Sequence, residues 1–254
     1  MANQLILIRH GDLGDRYRGR YVGRTDAPLS AEGRRQAATL TGPVARLNGA
    51  HFLSSPLRRT RETAEIALGA NGVLKNTPLW QAVQKCSDAR RAKTEERGVY
   101  GNTSSDEVCS ATQQMSVFQQ TAHERFEIDV NLREIDFGRW EGMSFAEIAA
   151  ADPAAVDRWA ALDEDFTFPD GEGIRVFRER IGAAAERIAA DPAGTVVLFA
   201  HGGVIRFLIC HFLGLPNRHH LLFDVRPASL SEIQIDGGKG ILTLLNDRHH
   251  LEGC

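Results

Sequence analysis

Leu5-Ile6-Leu7-Ile8-Arg9-His10-Gly11 is the stretch around which the rest of the sequence can be organised. Four apolar residues in a row, with no polar break, predict a buried strand. Its end delivers a cation and an imidazole to the C-terminal edge, where open α/β sheets bind their ligands. Gly11 lets the chain turn sharply beside a close ligand, because it has no Cβ. Taken alone, the same residues are equally a strand end with a surface Arg and His. A second stretch repeats the design. Thr195-Val196-Val197-Leu198-Phe199-Ala200-His201-Gly202-Gly203 is another apolar strand ending in His-Gly. Val204 to Leu213 then read as a mostly buried helix, stopped by Gly214 and Pro216. If the two strands are neighbours in one sheet, His10 and His201 stand side by side. A helix opening at Gly202 adds free backbone N–H groups, which favour an anion.

The 254 residues suffice for one large α/β domain, or a domain with an insertion. A formal charge of −3 with 43% hydrophobic residues provides no global basic field of the kind that draws nucleic acid. Cys86, Cys109, Cys210 and Cys254 match no zinc or redox spacing, so a reduced, cytoplasmic setting is expected. The sequence enters a strand at once, without a basic n-region or cleavage site, so no signal peptide is expected. The apolar stretch 196–215 is broken by His201, Arg206 and His211, which argues against a membrane span.

From Asp12 to Asp26 the sequence is rich in Gly, Arg and Asp and reads as a loop. Arg16, Arg18, Arg20 and Arg24 are either a solvated set balanced by local aspartates or a basic rim for a phosphorylated substrate, with one or two serving the site. Ser30 is a candidate N-cap for a helix through Leu40, which Gly42-Pro43 would break or kink. His51 to Ser55 read as a short strand, and Pro56 as the start of a helix. Arg58, Arg59 and Arg61 then sit near a helix N-terminus, where cations are unfavourable unless an anion binds. Glu62 and Glu65 are enough to offset Arg58 and Arg61 on a charged face. Residues 81–130 are polar and weakly patterned, with a helix over Thr112 to Arg125, and read as an insertion or lid. Leu132 to Gly142 mix acids, aromatics and glycines, as ordered functional loops do. Short helices are expected over Ser144–Ala150 and Pro153–Ala161. A longer one is expected over Ile174–Ala190, with Val176, Phe177, Ile181, Ala184, Ala185 and Ile188 on its apolar face. Leu221–Val225, Leu230–Ile235 and Ile241–Leu245 read as strands, the last two joined across Gly237-Gly238. His211 is read as core, Arg206 as a structural ion-pair partner, and Phe137 and Trp140 as packing. The element order predicts a three-layer α/β/α sandwich: a mostly parallel central sheet with antiparallel strands, covered by helices on both faces.

Four motifs, in order along most of the chain, resemble the histidine phosphatase superfamily, which includes phosphoglycerate mutases, fructose-2,6-bisphosphatases and α-ribazole phosphatases. They are Arg9-His10-Gly11, Ser54-Ser55-Pro56-Leu57-Arg58-Arg59, Leu132-Arg133-Glu134 with Phe137-Gly138-Arg139-Trp140-Glu141-Gly142, and Ala200-His201-Gly202. The resemblance implies a phosphoglycerate mutase-like single domain over 1–254, with the 81–130 segment inserted. It implies that His10 takes the phosphoryl group on one ring nitrogen, which requires a neutral ring with its other nitrogen held by an acceptor. Arg9, Arg59 and His201 would surround the phosphate, and Glu134 would protonate the leaving oxygen and then activate water. Gly23 and Gly202 join the implied substrate-binding set; neither a metal nor a cofactor is implied. Many members carry an Asn six residues after the nucleophile, where this sequence has Arg16. Either Arg16 makes that phosphate contact with a charge, or the loop runs differently.

These readings favour a metal-independent phosphatase acting on a small phosphorylated metabolite, with no nucleic-acid or membrane partner, as a monomer or homodimer. The third and fourth motifs resemble the phosphatase branch, α-ribazole phosphatases included, more than the mutases. A mutase would need a closed site that keeps a phosphohistidine from water. A non-catalytic phospho-ligand-binding protein would not require the acid.

Overall fold

The computed structural model describes residues 1–69 and 125–252. Its sheet comprises β1 (Gln4–Arg9), β2 (His51–Ser54), β3 (Arg125–Ile128), β4 (Thr195–Ala200), β5 (Leu230–Asp236) and β6 (Lys239–Asp247), in the order β3-β2-β4-β1-β5-β6. The first four in that order run parallel, whereas β5 is antiparallel to both β1 and β6. β5 and β6 form the expected hairpin, with Gly237 and Gly238 at φ of 56° and 80°, the left-handed pair that a two-residue turn demands.

The unbroken apolar run of β1 follows from burial on both faces. Leu5 and Leu7 pack with Leu198, Phe177 and Phe207 on one side. Ile6 and Ile8 pack with Leu40, Phe52, Ala64 and Phe199 on the other. The second side is covered by α1 (Ala31–Thr39), α2 (Thr41–Ala45) and α3 (Arg58–Ala67). The first is covered by α6 (Ile174–Ala189) and α7 (Gly202–Phe212), with α4 (Phe145–Ala151) and α5 (Pro153–Ala160) beyond them. This is the expected three-layer arrangement. Ser30 caps α1, its Oγ accepting from the Gly33 N–H at 2.9 Å, a contact worth about 1 kcal/mol.

Several expectations need correction. α3 opens at Arg58 with Leu57 as its cap residue, not at Pro56. Leu221–Val225 is not a strand: Asn217–Leu222 form a 3-10 turn, and Leu221 and Leu222 project into solvent instead of finding a sheet neighbour. Residues 125–128, within the 81–130 segment, form β3, paired in parallel with β2. The helix expected over 112–125 lies outside the described residues, save Arg125, which starts β3. Val176 is exposed although its α6 neighbours Phe177 and Ile181 are buried. Arg61 is buried, not part of a solvated charged face. His211 is partly exposed, 3.3 Å from Glu186, and not core. Arg206 is held by a carbonyl, its Nε donating to Phe223 O at 2.8 Å. Among the described residues, no helix is long and apolar enough to cross a membrane.

Candidate active site

β1 and β4 are parallel neighbours with Arg9 opposite Ala200. His10 and His201 therefore each follow the last residue of adjacent strands, and their ring centroids lie 5.4 Å apart. The His10 N–H still donates to Ala200 O at 3.0 Å, so the imidazole is carried on the end of the sheet ladder. Gly11 is required by close approach and not by a left-handed turn: a Cβ there would run into the Gly33 carbonyl of α1. The Gly11 N–H donates to Thr63 Oγ1, which ties the strand end to α3.

His10 Nδ1 is 2.8 Å from the Gly11 carbonyl oxygen. A carbonyl only accepts, so Nδ1 carries the proton and Nε2 keeps its lone pair. Burial first, then the Arg59 and Arg9 cations, hold the His10 pKa well below the usual imidazole value. The ring is thus neutral at physiological pH with its tautomer fixed.

His201 is held differently. Arg59 Nε donates to its Nδ1 at 3.1 Å, which leaves Nε2–H to donate to Ser55 Oγ at 2.7 Å. Burial, then the Arg59 cation, keep this ring neutral as well. Both of its nitrogens are spent inside the protein. Arg59 is completely buried, with Nη1 donating to Thr25 O at 2.8 Å and Nη2 to Gly23 O at 2.7 Å. These partners are neutral acceptors, and among the described residues one Nη1 N–H is left without an acceptor. Burial lowers its pKa, and that of Arg9 falls to about 10 for the same reason. Arg9 Nη1 donates to Val225 O at 2.5 Å, while its buried Nε has no partner among the described residues. Gly202 opens α7 directly against this guanidinium.

Glu134 is buried at the N-terminus of α7. Its Oε2 accepts from the Gly203 N–H at 3.0 Å and its Oε1 from the Ile135 N–H at 3.1 Å. A helix N-terminus favours a carboxylate in this way. Glycine at 203 leaves the carboxylate its place, since a Cβ there would displace Glu134 Oε1.

The structure brings Arg9, His10, Arg59, Glu134, His201 and Gly202 to the C-terminal ends of β1, β2 and β4. Arg16 lies in the 3-10 turn Asp15–Tyr17, exposed, beside the Tyr17 ring. Arg18 pairs with Asp15, Arg20 with Glu147, and Arg24 with Asp136 and Glu172. Gly23 lies behind Arg59, its carbonyl accepting from the guanidinium and its N–H donating to Glu141. Phe137 and Trp140 pack with Tyr21 and Phe168. Sequence reasoning missed Arg180 of α6. It donates to the carbonyls of Asn131, Arg133 and Glu134 and pairs with Glu172, so it clamps the backbone that carries Glu134. The available signal was a cation on the buried stripe between Phe177 and Ile181. Among the described residues, no group of three or more His, Cys, Asp or Glu is placed to hold a metal ion.

A family model of the histidine phosphatase superfamily, branch 1, matches residues 5–84 and 104–248. The "Bifunctional protein Rv2228c" of Mycobacterium tuberculosis is 29% identical over 254 residues, covering 98% of this chain and 55% of that protein. The chain thus spans about half the length of that relative. The "Probable phosphoglycerate mutase GpmB" of Salmonella arizonae is 25% identical, over 91% of this chain and 84% of its own. Among solved structures, the alpha-ribazole phosphatase from Shigella flexneri superposes with a TM-score of 0.68 at 22% identity, over 96% of each chain. The mycobacterial glucosyl-3-phosphoglycerate phosphatase superposes at 0.65 and 24% identity, over 97% of this chain and 100% of its own. These structural likenesses establish the shared fold.

Proposed function

The chain belongs to the histidine phosphatase superfamily, and on that footing we propose that it hydrolyses a small phosphomonoester through a phosphohistidine on His10. The observation that carries this reading is the buried, neutral His10 ring, locked through Nδ1 to the Gly11 carbonyl. Its Nε2 lone pair attacks phosphorus as the bond to the leaving oxygen breaks. Glu134, the acid, takes up a proton when the phosphate dianion is bound beside it and gives that proton to the leaving oxygen. It then takes a proton from the water that cleaves the P–N bond, which releases phosphate and restores the free imidazole. Arg9 Nε and the remaining Arg59 Nη1 N–H, joined by the first-turn N–H of Gly202, hold the phosphoryl oxygens. Two guanidiniums supply the positive charge that this transfer needs, so the scheme calls for no metal.

The likeness to "Probable phosphoglycerate mutase GpmB" favours a second reading, phosphoryl transfer between positions of a phosphoglycerate. One experiment separates the two. Purified protein is given α-ribazole 5′-phosphate, sugar phosphates, phosphoglycerates and nucleotides with EDTA present, and His10→Ala as control. His10-dependent phosphate release supports the hydrolase. Isomerised phosphoglycerate without phosphate release supports the mutase.

A further inference from the structure

Among the described residues, the motif residue Glu141 shares no hydrogen bond with His10, His201, Arg9 or Arg59, yet its carboxylate is the most heavily bonded in the described structure. Five donors converge on it: the N–H groups of Gly23, Arg24, Thr25 and Phe137, and the Thr25 hydroxyl, at 2.6 to 3.3 Å. Four of those donors, three of them backbone N–H groups, come from three consecutive residues, 23–25. The same segment turns the carbonyls of Gly23 and Thr25 toward Arg59, at 2.7 and 2.8 Å. The Gly23–Arg24 peptide is therefore held from both ends, its N–H on the Glu141 carboxylate and its carbonyl on the Arg59 guanidinium. Gly23 packs closely on this side, since a Cβ there would overlap Ile135 O and Glu141 Oε1. Arg59 in turn fixes the tautomer of His201.

We propose that Glu141 is the positioning residue for the phosphate cradle: through the 23–25 segment it sets the direction of the Arg59 guanidinium. Every partner of the carboxylate is a donor, so an amide in its place turns an NH2 toward N–H groups and releases the segment. Without that restraint the two carbonyls leave Arg59, and the guanidinium no longer presents its spare Nη1 N–H in a fixed direction.

The proposal rests on the phosphatase reading for its consequence in turnover, but not for the anchor itself, so two measurements are made on Glu141→Gln. Amide hydrogen exchange at Gly23, Arg24 and Thr25 should speed up by about tenfold or more, as expected when hydrogen bonds to a charged group are lost. Inorganic phosphate and orthovanadate should bind about tenfold or more weakly to Glu141→Gln, but no more weakly to Glu141→Gln/Arg59→Ala than to Arg59→Ala alone. Glu141→Asp should recover part of the affinity. A merely structural role would give additive losses in the double variant that track the melting temperature. Unchanged exchange, or additive losses, overturns the proposal. If the parent protein binds neither anion, the phosphatase reading fails, and the exchange arm still decides the anchor.

Discussion

His10 and His201 occupy equivalent places at the ends of neighbouring parallel strands, both buried and both neutral. They differ in what their ring nitrogens touch. His201 spends both, one on Arg59 and one on Ser55. His10 spends one, on a carbonyl that can only accept, and keeps a lone pair. On the proposed mechanism His10 is the ring free to attack, whereas His201 is the ring tied to Arg59, although the two sequence stretches look alike. Chemistry at a pair of matched strand ends is decided by second contacts that arrive from other parts of the chain.

The largest expected effect breaks that comparison outright. His10→Ala should lower turnover by about 10⁴-fold or more while circular dichroism stays unchanged. An active His10→Ala enzyme would move the nucleophile elsewhere. Glu134→Gln should cost about 10³-fold on alkyl phosphates and little on p-nitrophenyl phosphate, whose leaving group needs no proton. An equal loss on both would remove Glu134 as the acid. His201→Ala should cost about 10²-fold, because it acts through the placement of Arg59. A loss as large as that of His10→Ala would reverse the roles of the two rings.

Smaller effects concern pH and metal. The depressed pKa of His10 should keep kcat/KM level as the pH falls through the ordinary imidazole range, with the decline only below it. A decline centred near 6.5 would mean that the ring is not desolvated as described. The same depression bears on stability. Both rings refuse protons that the unfolded chain accepts near pH 6.5, so their contribution is complete above that value and is lost as pH falls toward the folded-state pKa. EDTA should leave the rate unchanged, and a loss would reveal a required metal.

Much of this was legible in the sequence. The strand runs Leu5–Ile8 and Val196–Ala200 are apolar because both sheet faces are covered, and the Ser30 cap is a local signal. The pairing of β1 with β4, which brings His10 beside His201, could be anticipated from two His-Gly endings. What escaped was set by distant contacts. Arg180 and Glu134 are far apart in sequence, as are Glu141 and the 23–25 segment, and no periodicity links them. Gly203 looks like any glycine of a helix start until Glu134 is placed against it. Leu221–Val225 was misread because apolar residues suggest a strand only when a neighbouring strand exists to receive them. Arg61 was misread because charge alone does not reveal burial.

The most direct test is where the phosphoryl group goes. The protein is mixed with p-nitrophenyl phosphate, quenched in alkali within one turnover, digested and mapped, with phosphorus NMR to distinguish the two ring isomers. The fixed tautomer predicts phosphate on Nε2 of His10. Phosphate on Nδ1 of His10, on His201, or on no histidine at all would contradict it.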